Sequence, residues 1–235
     1  GLMSTYLGPL FFPNNDILVS QLQAFAVFAL GYIARPVGGV ILGALGDLTS
    51  RKSVFIRSNI ILALATITIS LLPNYYQIGI TATICIICLR LIQSFTFSAE
   101  LPGAMSLIED GKKQPSRRFS FIISGAAIGS ILASSILYLL EYNYTKQEIL
   151  NFAWRLPFIF GSILCVVGFL LRSKLPDFAH AKPKDRKSLF ANLLPQYPNI
   201  IGSVLVISVA AYLIMMNLFF PTFIPKFYGY NVKEV

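Results

Sequence analysis

The sequence predicts an all-α integral membrane protein, and three observations support that prediction. The composition is 55% hydrophobic and only 12% charged, whereas soluble domains carry about a quarter charged residues. Apolar runs long enough to cross the roughly 30 Å hydrocarbon core recur along the chain. Residues 35–46 combine an arginine with four glycines. A membrane helix accepts this mixture because small residues let helices approach closely and polar residues face the bundle interior.

Six full membrane spans are predicted, preceded by the end of an earlier one at residues 1–12. Turns rich in Pro and Asn at 13–16 and 73–76, and charged stretches at 109–118 and 172–197, separate the apolar runs. The six full spans are 17–46, 53–72, 78–108, 119–140, 152–171 and 200–224.

The distribution of Lys and Arg predicts the orientation in the membrane. Three lie in residues 47–57, four in 109–118 and six in 172–199, whereas the opposite loops hold little more than Lys146. Because cytoplasmic loops carry the excess of basic residues, we expect these three loops to be cytoplasmic. The net charge of +9 then reflects topology, and no nucleic-acid partner is predicted.

Ionisable side chains lie inside the predicted spans. Inserting each at the centre of a membrane helix costs at least about 2.5–3.5 kcal/mol of free energy, so such residues usually have a structural or functional role. They are Arg35, Arg90 and Glu100, and Gln93 shares a helix face with Arg90. Glu100 is ten residues beyond Arg90, roughly 15 Å along a helix, so the two cannot pair directly. Two interpretations stay open: these groups hold helices together, or they line a watery cavity that attracts an anionic or zwitterionic solute and carries a proton.

Two glycine pairs have the spacing of close helix packing, Gly39 with Gly43 and Gly125 with Gly129. They predict contacts between neighbouring helices, either static or movable. No nucleophile–base pair, phosphate-binding loop or cluster of metal ligands is apparent in the sequence. We therefore predict neither an enzyme nor a bound metal or cofactor.

Two sequence motifs resemble signatures of the major facilitator superfamily. GALGDLTSRKS at 43–53 is similar to its G-x-x-x-D-R-x-G-R-K loop, and RLIQSF at 90–95 is similar to its fourth-helix R-x-x-Q-G motif. Three further strings resemble the metabolite:proton symporter family, which includes proline/betaine, α-ketoglutarate, citrate and shikimate transporters. These strings are GYIARPVGGVILGALGD at 31–47, E-x-x-G-A at 100–104 and WRLPFIFGSILCVVGFLLR at 154–172.

The resemblance implies a fold of twelve helices in two six-helix halves, with the solute bound near the midplane between them. On that register, residues 1–172 form the N-terminal half without most of its first helix. Residues 173–199 form the central cytoplasmic loop, and residues 200–235 hold the first helix of the second half. The chain thus resembles part of such a transporter.

The resemblance also implies roles for particular residues. Asp47, Arg51 and Lys52 would form a cytoplasmic gate that pairs and breaks as the halves rock, and Arg90 would belong to the proton-coupling network. Together with Arg35, Gln93 and Glu100, Arg90 makes up the expected solute and proton pathway.

The function predicted from the sequence is a proton-coupled symporter in the plasma (bacterial inner) membrane. It would import a small zwitterionic or carboxylate solute such as proline or betaine, and the full-length transporter would be a monomer. Alternatives stay open: transport of another organic acid (α-ketoglutarate, citrate or shikimate), an anion antiporter or facilitator, and a truncated membrane fragment that transports nothing.

Overall fold

The computed structural model of the chain describes residues 3–109 and 115–174, and these residues are almost entirely helical with no strand among them. They all fall in one compact unit, Gly1–His180. The helices are α1 (Ser4–Phe11), α2 (Ile17–Leu48), α3 (Arg51–Leu71), α4 (Tyr75–Ile78), α5 (Ile80–Phe97), α6 (Glu100–Glu109), α7 (Pro115–Asn143), α8 (Lys146–Asn151) and α9 (Leu156–Ser173), with a 3₁₀ turn (Ala153–Arg155) before α9.

Five stretches of the described residues are long and apolar enough to cross a membrane. They correspond in order to the first five predicted full spans, and α1 corresponds to the predicted partial span. The all-α membrane fold is therefore confirmed. The five stretches are Val19–Leu48, Arg51–Leu71, Ile80–Met105, Ser120–Asn143 and Ala153–Ser173. The predicted span at 200–224, and the central loop beyond residue 174, lie outside the described residues.

The loop between α2 and α3 is shorter than residues 47–52, which separate the two predicted spans. The α3 helix begins at Arg51 because Ser50 caps it, with the Ser50 side chain accepting a hydrogen bond from the Ser53 backbone N–H at 3.4 Å. A serine before the first helical residue satisfies a backbone donor that would otherwise lack a partner. The basic pair at 51–52 therefore lies in the first turn of a helix.

The predicted single span at 78–108 is two helices, and α5 and α6 are separated at Ser98 and Ala99. The proline at position 102 explains the interruption, because it has no backbone N–H to donate to the carbonyl of Ser98. The preceding turn at 73–76 also differs from the prediction, since it contains the start of the short helix α4. Gly79 joins α4 to α5 with φ = 62°, a conformation that glycine adopts without strain.

Two helix pairs organise the part of the bundle that carries the charged residues. The α2 and α5 helices run parallel, because Phe28 contacts Arg90 and, seven residues further along each helix, Arg35 contacts Phe97. The α3 and α9 helices run antiparallel, since successive contacts advance along α3 and retreat along α9. Those contacts join Phe55 to Arg172, Asn59 to Gly168 and Thr66 to Gly161.

The buried apolar core gathers where α1, the end of α3, the start of α5, α8 and the start of α9 meet. Trp154 is fully buried there and makes edge contacts with the rings of Phe11 and Phe158, at centroid distances of 5.5 and 6.1 Å. The Tyr6 hydroxyl donates to Glu141 at 2.8 Å and ties α1 to the end of α7. This core fixes one end of the bundle, and the ionisable groups extend from it toward the other end.

Candidate functional site in the helix bundle

Two glycines on α2 let α5 approach closely. A Cβ at Gly38 would lie 2.5 Å from the Phe95 carbonyl oxygen, and one at Gly31 would overlap the Ser94 side chain. At such positions only glycine fits without displacing a neighbour. Neither glycine was predicted to pack. Both lie in the motif at 31–47, but sequence spacing alone does not show which glycines of a rich stretch face another helix.

The glycines predicted to pack lie elsewhere on the surface. A Cβ at any of them would meet no atom within 4 Å, so they do not bring together the helices that the structure describes. A packing role for them stays a prediction. They are Gly39 and Gly43 on α2 and Gly125 and Gly129 on α7.

Arg90 is enclosed and hydrogen-bonded within the bundle. Its guanidinium lies over the rings of Phe28 on α2 and Phe158 on α9, at 4.6 and 5.2 Å. Its Nη1 donates to Gln93 Oε1 at 3.3 Å, and Gln93 Nε2 donates in turn to Thr66 Oγ1 on α3 at 2.8 Å. Arg90 and Gln93, which were predicted to share a helix face, are thus hydrogen-bonded to each other. The charge is therefore held by aromatic faces and one amide.

Arg35 has a different environment. Its guanidinium lies over the rings of Tyr32, at 4.4 Å, and Phe97, at 4.9 Å. Its Nε is buried and has no hydrogen-bond partner. Unlike the guanidinium of Arg90, that of Arg35 therefore keeps a buried donor unused.

Glu100 is ion-paired with Arg172 at the start of α6. Arg172 Nη1 and Nη2 lie 2.8 and 2.5 Å from the two carboxylate oxygens, a bidentate arrangement. The two side chains are only 16% and 22% exposed. Because the partners are 72 residues apart, no local spacing indicates the pair, and the sequence prediction counted Arg172 with the basic loop that follows.

Further contacts fix Arg172 from the α3 side. The Phe55 ring lies 4.0 Å below its guanidinium. With its amide oriented to satisfy both neighbours, Asn59 accepts from Arg172 Nη1 at 2.8 Å and donates to the Cys165 carbonyl at 2.9 Å. The ion pair thus joins α3, α6 and α9, and Asn59 was not predicted as part of any site.

Two of the predicted gate residues are paired across the α2–α3 loop. Arg51 Nε and Nη2 donate to Asp47 Oδ1 at 3.3 and 3.2 Å. Both side chains are more than half exposed, at 60% and 56%, so the pair contributes at most about 1 kcal/mol to stability. Lys52 is the next residue and is half-buried. A gating role for the three residues stays a prediction.

The predicted pathway residues lie at successive levels along α2, α5 and α6. Arg90 contacts Gln93 at one level, Arg35 meets the end of α5, and Glu100 begins α6. The structure therefore places these side chains at successive levels of the bundle, with Arg90 on α5 and Glu100 beyond the break between α5 and α6.

Comparisons with known proteins agree with the motifs. The family model of the Major Facilitator Superfamily matches residues 1–234. A putative proline/betaine transporter of Staphylococcus aureus is 36% identical over 179 residues, which is 74% of this chain and 38% of that protein. The inner membrane metabolite transport protein YhjE of Escherichia coli is 33% identical over 170 residues, covering 72% of this chain and 39% of YhjE.

A third relative, the glycine betaine/proline/ectoine/pipecolic acid transporter OusA of Dickeya dadantii, is 32% identical over 179 residues, covering 75% of this chain and 36% of OusA. No solved structure gives a significant match. The chain thus spans well under half the length of these curated relatives. They are transport proteins and not enzymes. These relatives and the five stretches that can span a membrane show that the protein is a multi-pass plasma membrane protein. The chain belongs to the major facilitator superfamily.

Proposed function

We propose that this chain is part of a proton-coupled symporter that imports a small zwitterionic or carboxylate solute such as proline or betaine. The observation that carries the proposal is the line of ionisable groups, Arg90, Arg35 and Glu100, inside helices that span the membrane. Keeping charges at this depth is costly, so such groups mark solute and ion pathways. Two of the relatives are named as proline/betaine and glycine betaine/proline transporters, and the solute class is proposed from them.

The cations favour a solute that carries a carboxylate. Arg35 and Arg90 lie within the membrane-spanning parts of α2 and α5, where the low dielectric strengthens their attraction for an anionic group. A carboxylate entering from water would meet these positive charges in succession. This supports import of amino-acid-like zwitterions and equally accommodates simple organic acids.

The proton is proposed to act on Glu100. Protonation would remove the negative charge that Arg172 pairs with, and the bidentate contact joining α6 to α9 would weaken. Because the cost of switching between two conformations depends on such contacts, a proton would shift the balance between them. Asp47, Arg51 and Lys52 are proposed to open and close at the same, cytoplasmic end, and the full-length transporter is proposed to act as a monomer.

The proposal is tested by uptake into proteoliposomes of labelled proline and glycine betaine, with and without an imposed inward proton gradient. We expect gradient-driven uptake by the unmodified chain, loss of the gradient effect in Glu100→Gln, and no change in Glu148→Gln. The second variant removes an exposed carboxylate outside the spans.

Other results would contradict the proposal in distinct ways. Equal uptake with and without the gradient would indicate a facilitator. Uptake of α-ketoglutarate, citrate or shikimate but of neither labelled solute would favour an organic-acid transporter. Absence of uptake for the whole panel would show that these 235 residues do not transport.

A further inference from the structure

Five arginines among the described residues differ in whether a protein group accepts a hydrogen bond from their guanidinium. Arg90 donates to Gln93, Arg155 donates to the Asn151 and Leu72 carbonyls, and Arg172 pairs with Glu100; the contacts are 2.5–3.4 Å long. Arg51 pairs with Asp47 outside the apolar stretch. Arg35 makes ring contacts but no hydrogen bond to another described residue, and its buried Nε has no partner.

Arg35 lies beside the contact between α2 and α5, and the two rings under its guanidinium, Tyr32 and Phe97, are each 48% exposed. Gly31 and Gly38, four residues before it and three after, both contact α5, and residues at these spacings share one face of a helix. The Phe97 ring, which lies under the guanidinium, also belongs to α5. The side chain is therefore directed along the α2–α5 seam, at the level between the Arg90 contacts and Glu100.

The ring contacts leave the hydrogen-bonding edge of the guanidinium unused. A cation over an aromatic ring presents its face to the ring, whereas the N–H donors of arginine point outward in its plane. The edge formed by Nε and a neighbouring Nη matches the two oxygens of a carboxylate, which they bind in a bidentate manner. Tyr32 and Phe97 thus orient the group without occupying its donors.

We infer that Arg35 binds the carboxylate of the transported solute, whereas the guanidinium of Arg90 is already held by Phe28, Phe158 and Gln93. This inference rests on the proposed function and narrows it, since it assigns recognition of the carboxylate to one side chain. The solute class is then defined by its carboxylate, and a compound with the same cationic group but no carboxylate is not bound at this site.

The test is binding to the full chain in lipid nanodiscs, with glycine betaine and choline as probes, because choline carries the same trimethylammonium group without a carboxylate. We expect Arg35→Gln to weaken glycine betaine binding by about 10- to 100-fold and to leave any weak choline binding unchanged. Arg35→Lys keeps the charge but loses the bidentate edge, so its affinity should be intermediate. The control is Arg57→Gln, an exposed arginine near the start of α3.

A second measurement needs no variant, which separates solute binding from misfolding. In the unmodified chain, glycine betaine should slow the modification of Arg35 by phenylglyoxal, as followed by mass spectrometry, and choline should not. Equal glycine betaine affinity in Arg35→Gln, or no protection of Arg35 by bound glycine betaine, would overturn the inference while leaving proton-coupled uptake intact. Absence of glycine betaine binding to the unmodified chain would overturn both the inference and the proposed solute.

Discussion

Arg172 binds both carboxylate oxygens of Glu100, with Nη1 and Nη2 at 2.8 and 2.5 Å, and so fastens the end of α9 to the start of α6. The ring of Phe55 lies 4.0 Å from the same guanidinium and brings α3 into the contact. Replacing one residue of such an enclosed ion pair costs folding free energy, because the remaining partner stays charged and has no opposite charge beside it.

Removing both partners of this ion pair should therefore destabilise the chain by less than the sum of the two single losses. We expect Glu100→Gln and Arg172→Gln each to lower the free energy of unfolding by about 2–3 kcal/mol. The loss in free energy of unfolding of the double variant should be smaller than the sum of the two single losses by about 1–2 kcal/mol. Denaturant unfolding in detergent micelles measures these values, with Lys174→Gln, an exposed residue two positions further on, as the control. Strictly additive losses would show that the pair contributes no coupling energy.

Glycine at position 38 should be required for the approach of α2 to α5. Gly38→Ala places a methyl group 2.5 Å from the Phe95 carbonyl oxygen, and such overpacking costs about 1–3 kcal/mol. Gly43→Ala on the same helix meets no atom within 4 Å and should change the free energy of unfolding by less than about 0.5 kcal/mol. Thermal unfolding of the two variants compares them directly, and equal losses would be evidence against the close contact.

The hydrogen bond from Gln93 to Thr66 should contribute to holding α5 against α3. Thr66→Val removes its acceptor, and hydrogen bonds between membrane helices contribute about 0.6 kcal/mol on average and up to about 1.7 kcal/mol. Thr68→Val is the matched control, because the Thr68 hydroxyl bonds only to the Leu64 carbonyl of its own helix, as Thr66 also does to Leu62. The difference in unfolding free energy between the variants reports the Gln93 contact together with the greater burial of Thr66, and no extra loss in Thr66→Val would contradict a stabilising contact.

The backbone amides at the start of α8 should exchange their hydrogens faster in acid. The Thr145 backbone N–H and hydroxyl both donate to Glu148, at 2.8 and 2.9 Å, and they hold the pKa of that carboxyl below its usual value. The ionised form is thus favoured in the folded state, so its contribution is present above the ordinary carboxyl pKa and is lost as the pH falls through the lowered value.

Amide hydrogen exchange at Ile149 and Phe152, whose N–H groups bond to Thr145 and Glu148 within this turn, reports the loss. Exchange rates are compared with those of Glu148→Gln, in which the pH-dependent part should vanish. Identical pH profiles for the two proteins would contradict the assignment.

Much of the fold was predictable because membrane spans are long and apolar. The approximate positions of the spans follow from run length, and the shared face of Arg90 and Gln93 follows from helix periodicity; both are local properties. The interruption at Ser98 was missed because apolar residues continue across it. It depends on the proline at 102, which many membrane helices accommodate without a break.

The candidate site was less predictable because its contacts are long-range. Nothing near Arg172 in the sequence indicates Glu100 as its partner, and a basic residue at the end of a span is typical of a cytoplasmic loop. Likewise, the choice of Gly31 and Gly38 over Gly39 and Gly43 for close packing depends on which face of α2 meets α5. Only the assembled helices determine that face.

Coupled movement of solute and proton can be measured by recording the internal pH of proteoliposomes when glycine betaine is added outside, with no imposed proton gradient. We predict that entry of glycine betaine acidifies the interior, and that Glu100→Gln abolishes this acidification while Glu148→Gln preserves it. Entry of labelled glycine betaine without acidification, in vesicles shown to be proton-tight, would contradict symport.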